Sequence, residues 1–280
     1  VIDRFGDTAV VQPNAAWADV MIEMLTTALI AETGVKNVLK NASGRARVLE
    51  GLDEESAVLA GAAPDAPVQV SMNGATYMAD VLGGQKTGLF FDQRPNHAFA
   101  QSLAKGADTL DVFSHVGGFS LAALAGGATS AIALDSSAPA LDLAAQGADA
   151  MGMSDAFSTR RGDAFAEMET LADEGATFDL VVCDPPAFAP AKPALEAGLR
   201  AYERVARLAA KLVKPGGYLG LCSCSHAADL TKFRNASARG IGRAGRKGQI
   251  IYTGFAGPDH PQMPQLAESG YLKSVFFRLD

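Results

Sequence analysis

Several groups of residues combine types and spacings suited to chemistry. The first is Leu110-Asp-Val-Phe-Ser-His-Val-Gly-Gly-Phe-Ser120, an apolar run that ends in a Gly-Gly turn before a helical stretch. Glycines there let the backbone approach a ligand, and the helix N-terminus offers N–H groups to an anion. The dinucleotide fingerprint G-x-G-x-x-G is absent. Asp135 closes the next apolar run, 17 residues after Gly118, where a carboxylate is placed to accept hydrogen bonds from two ribose hydroxyls. Each piece alone has a plain structural reading, the turn as a loop and the Asp as a helix cap; together their spacing points to a nucleoside site. Asp163, after a third run, suits either an adenine amino group or the cap of a helix that starts at Ala164.

Two further segments carry reactive or rigid groups. Phe178-Asp-Leu-Val-Val-Cys-Asp-Pro-Pro-Ala-Phe188 ends a fourth run in Pro185 and Pro186, which remove backbone donors and stiffen the exit. That holds Asp184 and Phe188 at the carboxyl edge of a sheet, where open α/β folds bind ligands. Phe188 would there stack on a base turned out of its helix, or else pack in the core beneath a rigid loop. Lys214-Pro-Gly-Gly-Tyr-Leu-Gly-Leu-Cys-Ser-Cys-Ser-His226 places one residue between Cys222 and Cys224, so both face the same side of a strand. This is not the usual metal pairing and no second pair exists, so no metal site is expected. A thiol at a strand end beside a helix N-terminus ionises more readily. Cys224 is therefore the candidate nucleophile, against a reading as a buried, inert thiol, while Cys222 and Cys183 read as core. Lys232, Arg234, Arg239, Arg243, Arg246 and Lys247 form an acid-free basic stretch that suits phosphate contact or a solvated face.

The elements that must position these groups form two regimes. Residues 1–90 hold short alternating runs, Thr8–Gln12 and Pro67–Ser71 among them, and one helix-like stretch from Trp17 to Glu32, which reads as a small α+β domain. Residues 91–280 alternate strands and helices. Strands are expected at 109–114, 130–135, 157–161, 178–183, 217–223, 248–255 and 271–279, and helices at 137–150, 164–173, 196–213 and 226–238. That alternation marks an α/β, mostly parallel, doubly wound sheet. The last strand follows a turn-rich stretch, not a helix, and so is expected to run antiparallel. The chain has 280 residues, 48% hydrophobic and 20% charged, which excludes disordered, collagen-like and coiled-coil classes. A net charge of −7 argues against coating nucleic acid through bulk charge. The absence of a long apolar run, of a secretory signal and of a cysteine framework points to a cytoplasmic protein off the membrane. The first residue is Val, which reads as trimming from a longer chain.

These residues resemble class I methyltransferases that use S-adenosylmethionine. They are most similar to the bacterial ribosomal RNA large-subunit methyltransferase I family, cytosine-5 enzymes of 23S ribosomal RNA. The segments that carry the resemblance are Lys86-Thr-Gly-Leu-Phe-Phe-Asp-Gln-Arg94, Phe113-Ser-His-Val-Gly-Gly-Phe119, Asp184-Pro-Pro-Ala-Phe188, Ser223-Cys-Ser225 and Tyr271-Leu-Lys273. The resemblance implies a seven-stranded Rossmann-like methyltransferase sheet and S-adenosylmethionine as cofactor. It implies that Thr87, Phe90, Asp92, Gln93 and Arg94 close over the cofactor. Phe113, Ser114, Gly117 and Gly118 would hold its methionine end, Asp135 with Ser136 the ribose, Asp163 with Ala164 the adenine, and Asp184 the region of the methyl donor. Cys224 matches the family's nucleophile, Asp184 would hydrogen-bond the base, and Pro185, Pro186 and Phe188 would shape the substrate side. The implied partner is RNA, 23S ribosomal RNA in particular. Family members usually begin with an RNA-binding PUA domain that this sequence lacks. The oligomeric state is open, a homodimer included. Departures from the family pattern are His115-Val116, Ala187 in place of a Lys, and Gly147 and Met151 in place of asparagines.

Two rivals stand beside this reading. The Asp184-Pro-Pro-Ala-Phe188 loop also resembles that of amino methyltransferases, in which it would bind the amino group of a base and Cys224 would be incidental. The other rival is a non-catalytic RNA- or ribosome-binding protein that keeps the fold.

Overall fold

The computed structural model describes residues 1–82 and 88–280. Contacts divide the chain into two units, Val1–Ser71 with Met78–Phe90, and Met72–Tyr77 with Phe91–Asp280.

In the first unit, β1 (Ile2–Phe5) and β2 (Thr8–Val11) pair antiparallel, and β2 pairs parallel with β3 (Asn37–Lys40). The crossover consists of α1 (Ala16–Val20) and α2 (Ile22–Thr33), and β3 leads through α3 (Arg45–Leu49) to the antiparallel β4 (Ala57–Ala60). The single helix expected from Trp17 to Glu32 is interrupted at Met21, whose ψ of 13° leaves the helical range. Ala9, Val11, Val35 and Val38 form the core, with Ile22, Leu29 and Ile30 packed on them. Arg47 is fully buried and bonds Asp19 Oδ1 at 2.8 Å and Pro13 O at 2.6 Å, which satisfies a charge that burial would otherwise penalise. The strands β5 (Val68–Met72) and β6 (Ala75–Ala79) form a two-stranded sheet across Asn73-Gly74, both at positive φ.

The second unit is built around a seven-stranded sheet. After α4 (Arg94–Leu103) the chain runs β7 (Asp108–Val112), α5 (Gly118–Ala125), β8 (Ser130–Asp135), α6 (Ala138–Ala150), β9 (Phe157–Arg161), α7 (Ala164–Asp173) and β10 (Phe178–Cys183). It continues through α8 (Leu195–Lys211), β11 (Val213–Ser223), α9 (Leu230–Arg243), β12 (Gly248–Gly254) and β13 (Lys273–Leu279). The spatial order is β12-β13-β11-β10-β7-β8-β9, with β13 antiparallel to both neighbours and the pairs from β11 to β9 parallel. This is the α/β, Rossmann-like sheet expected, last strand reversed. Its central strands β7, β8 and β10 are largely buried because helices cover both faces. Val181 and Cys183 pack with α7 and α8 residues such as Met168, Tyr202 and Val205, while Leu180 and Val182 pack with Ala100 of α4 and Phe119 of α5.

Two elements start four residues away from expectation. β11 begins at Val213, because a register shift between Phe178 and Leu180 absorbs the Pro215-Gly216 kink and pairing then resumes; Gly216 has φ +79°. α9 begins at Leu230, because Asp229 caps it by accepting from Lys232 N at 2.8 Å. Among the described residues no helix is long and apolar enough to cross a membrane.

Candidate active site

The register sets Val112 beside both Leu134 and Cys183, and Cys183 beside Leu221, so the loops after β7, β8, β10 and β11 emerge side by side at the carboxyl edge. That is where a switch in strand order opens a crevice.

The loop after β7 is tightly wound. Phe113 and His115 have φ of 62° and 49°, and Gly117 takes φ 81° as it enters α5. Ser114 N donates to Leu134 O at 3.0 Å, and Gly117 N to Ser114 O at 2.8 Å. A side chain at Gly118 would place Cβ 2.9 Å from His97 Nε2, so the closeness of α4 requires this glycine. His97 packs edge-on to Phe119 with centroids 4.5 Å apart, and burial pushes its imidazole down to about 4, so it is neutral. Tyr77 OH donates to Gly118 O at 3.0 Å.

Asp111 anchors this loop and escaped the sequence reading. Its Oδ2 accepts from Phe119 N at 3.0 Å and Ser120 N at 2.8 Å, fixing the first turn of α5 from inside β7. The available signal was an acid inside a strand apolar on both faces, a place that demands donors. Burial pushes this carboxyl up to about 7, against the pull of the two amides. The folded state therefore binds the proton more tightly than the unfolded chain. The resulting stabilisation is present below about pH 4 and is lost as pH rises through about 7. Asp111→Asn keeps an oxygen for the amides but cannot ionise. Urea unfolding of both proteins across this window should show the variant gaining on wild type by up to about 4 kcal/mol between pH 4 and 7.5. A pH-independent difference would contradict the assignment.

Asp135, at the end of β8, accepts from His115 N through Oδ2 and from Ser137 N through Oδ1, both at 2.9 Å. Each oxygen keeps a second acceptor site for a hydroxyl. Ser136 beside it is exposed, and Ser137 caps α6 by accepting from Ala140 N at 3.3 Å. Asp163 is exposed and caps α7 by accepting from Ala166 N at 3.0 Å; Ala164 is the first, buried residue of that helix. The capping role weighed for Asp163 is therefore present. Gly147 faces Thr76 and Leu121, where a Cβ would meet Thr76 O at 2.8 Å, and Met151 Sδ accepts from Thr76 N. An asparagine at 147 would not fit this packing.

A chain of side chains links the turn before α4 to the loop after β10. Tyr271 OH donates to Asp92 Oδ2 at 2.5 Å, Asn96 Nδ2 to Gln93 Oε1 at 2.7 Å, and Gln93 Nε2 to Asp184 Oδ2 at 2.9 Å. Arg94 instead pairs with Asp259 at 2.8 Å. Phe90 is half-buried, and Lys86 and Thr87 lie outside the described residues.

After Asp184, Pro185 is buried and Pro186 exposed. Phe188 is half-buried in a ring cluster, 5.0 Å from Tyr202 and 6.1 Å from Phe165 between centroids. Ala189 N donates to Ser225 Oγ at 2.9 Å, Ser225 Oγ lies 2.7 Å from Tyr202 OH, and Ser223 Oγ donates to Tyr202 OH at 2.9 Å. This buried hydroxyl network clamps the Asp-Pro-Pro loop to the turn that carries half-buried Cys224. Cys222 is 1% exposed with Sγ 3.0 Å from Ser274 Oγ, Cys183 is fully buried, and burial pushes both thiols well up.

The basic stretch is largely paired within the protein. Arg239 and Arg243 both meet Glu203, Lys232 meets Asp229, and Arg246 binds the carbonyls of Ala210 and Val213. That favours a structural surface over a phosphate track. Among the described residues no group of three or more His, Cys, Asp or Glu could hold a metal ion.

A reversed last strand, a glycine turn after the first strand of the sheet and acids at the ends of its neighbours define a class of enzyme. A family model for S-adenosylmethionine-dependent methyltransferases matches residues 20–246, and the chain belongs to that family. It is similar to ribosomal RNA large subunit methyltransferase I of Aeromonas salmonicida, at 34% identity over 279 residues, 99% of this chain and 70% of that protein. The Vibrio vulnificus protein of the same name is 35% identical over 276 residues, 97% of this chain and 69% of that one. A crystal structure of a methyltransferase complexed with SAH shares the fold, with a TM-score of 0.85 at 20% identity over 99% of this chain and 70% of that chain. The residues present fit the family's cofactor. Ser114 Oγ is buried in the glycine loop without a hydrogen-bond partner among the described residues, and both Asp135 oxygens retain acceptor capacity.

Proposed function

We propose that the chain methylates carbon 5 of cytosine in ribosomal RNA, with Cys224 as nucleophile. The observation that carries this reading is the clamp that holds a half-buried thiol beside the Asp184-Pro-Pro loop at the carboxyl edge. The names of its relatives support RNA as the substrate, and such a substrate sets its work in the cytoplasm, with the smaller N-terminal unit as the RNA-side domain.

Ser114, Asp135 and Asp163 would hold the methionine, ribose and adenine parts of S-adenosylmethionine, which supplies an electrophilic methyl group when bound. Carbon 5 of cytosine is a poor nucleophile. The Cys224 thiolate adds to carbon 6, which makes carbon 5 enamine-like and able to take the methyl group. A base then removes the carbon 5 proton, the electrons of that bond re-form the double bond, and the thiolate leaves. Asp184, oriented by Gln93, holds the base near N3.

The test is transfer of labelled methyl groups to protein-free large-subunit ribosomal RNA, followed by nucleoside analysis. Label should appear in 5-methylcytosine. Label on a base nitrogen would overturn the carbon 5 reading in favour of an amino methyltransferase loop. Salt-sensitive RNA binding without transfer would mark a non-catalytic protein.

A further inference from the structure

Lys273 opens β13 opposite Ser223 of β11 and is only 4% exposed. A buried ammonium ordinarily requires a carboxylate, because desolvation disfavours its charge. Lys273 forms no ion pair with a carboxylate among the described residues. Its Nζ donates instead to Ser225 O at 2.6 Å and Tyr271 O at 2.9 Å, neutral acceptors of which the first belongs to the residue after Cys224. Its main electrostatic partner is Cys224, with Asp229 at the cap of α9 the lesser one. Among the described residues, the other titratable groups near the turn include the Tyr202 phenol from α8, which also feels Cys224, Asp184 after β10, the Tyr271 phenol, and His226, whose ring centroid is 5.9 Å from that of Tyr271.

We propose that Lys273 is the cation that keeps Cys224 ionised, a positioning residue held by two backbone carbonyls so that its charge is neutralised by the thiolate. The inference rests on Cys224 being the nucleophile. Ionisation sends the thiol proton to solvent, and Lys273 keeps all of its own. Burial pushes the lysine down to about 8, and each charge of the pair favours the other, so the two titrate together. The arrangement resembles other thiols activated by a neighbouring cation, and here the cation arrives on the reversed strand.

The test is the rate of Cys224 alkylation by iodoacetamide against pH, read on the Cys224 peptide by mass spectrometry in the full chain. In wild type the midpoint should fall below about 8.5, the ordinary thiol value. Lys273→Met should raise the midpoint by about one unit or more, cutting alkylation at pH 7 about tenfold, and Lys273→Arg should restore most of it. A wild-type midpoint at or above the ordinary value would overturn the proposal, even if Lys273→Met failed to fold. An unchanged midpoint in a folded Lys273→Met protein would overturn it as well. Alkylation needs neither RNA nor cofactor, so it is independent of the product. A lowered, lysine-dependent midpoint with a nitrogen-methylated product would refute the carbon 5 reading alone. An ordinary midpoint with 5-methylcytosine as product would refute the lysine alone.

Discussion

Replacing Cys224 by alanine should lower methyl transfer by at least about 10³-fold while changing S-adenosylmethionine affinity less than about twofold. The split follows from geometry. Cys224 stands at the end of β11, whereas Ser114, Asp135 and Asp163, assigned to the methionine, ribose and adenine parts of the cofactor, lie on the loops after β7, β8 and β9. Removing the thiol should therefore leave that loop set intact and remove only the group that adds to carbon 6. Stability should change little, because Cys224 is half-buried and the clamp runs through Ser223, Ser225 and Tyr202. Isothermal titration with cofactor beside a single-turnover transfer assay separates the two effects. Residual transfer near the wild-type rate would rule out covalent catalysis and leave Cys224 incidental.

Asp184→Ala should lower kcat about 10²-fold, with a smaller effect on cofactor binding. Its carboxylate is oriented by Gln93 Nε2, which donates to Oδ2 at 2.9 Å, and in the proposed reaction it is the group that holds the base. Pro185 and Pro186 stiffen the loop, so the carboxylate is oriented before substrate arrives and little reorganisation is needed at the reacting step. Gln93→Ala should cost less, about tenfold, since it loosens the carboxylate without deleting it. Single-turnover rates for the two variants at saturating RNA check the order. Equal losses would place the contribution of Asp184 in loop structure and not in contact with the base.

Much of the second unit was legible because central strands such as β8 and β10 are largely apolar and because strands and helices alternate between turn residues. The runs at 130–135, 157–161 and 178–183 match β8, β9 and β10 to the residue. The reversed β13 was legible from the Gly257–Pro264 stretch, which offers no crossover helix. Lys214-Pro-Gly lies ahead of the strand expected at 217–223 and is instead a bulged entry to β11, because neighbouring Phe178 holds the pairing across it. The start of α9 was misplaced because Ala227 and Ala228 favour a helix, yet Ser225 is committed to Tyr202 and Ala189 and Asp229 caps the helix further on. At the site, Asp135 and Asp184 could be found from their place after apolar runs. Asp111 could not be separated from its strand without knowing that two α5 amides converge on it. Lys273 was quoted without a role, because Ser225 reaches it from 48 positions away. The pairing of Arg239 and Arg243 with Glu203 of α8 was equally invisible, which made the basic stretch look more available than it is.

The proposed reaction turns on a covalent bond between Cys224 and carbon 6 of cytosine. Short ribosomal RNA fragments carrying 5-fluorocytidine test it directly, since fluorine replaces the proton whose removal frees the enzyme. With S-adenosylmethionine present, wild type should form a denaturation-resistant protein–RNA adduct. Digestion and mass spectrometry should place the nucleotide on the Cys224 peptide, and Cys224→Ala should form none. An adduct on another residue, or methyl transfer to unsubstituted cytosine without any adduct on the fluorinated RNA, would contradict the mechanism.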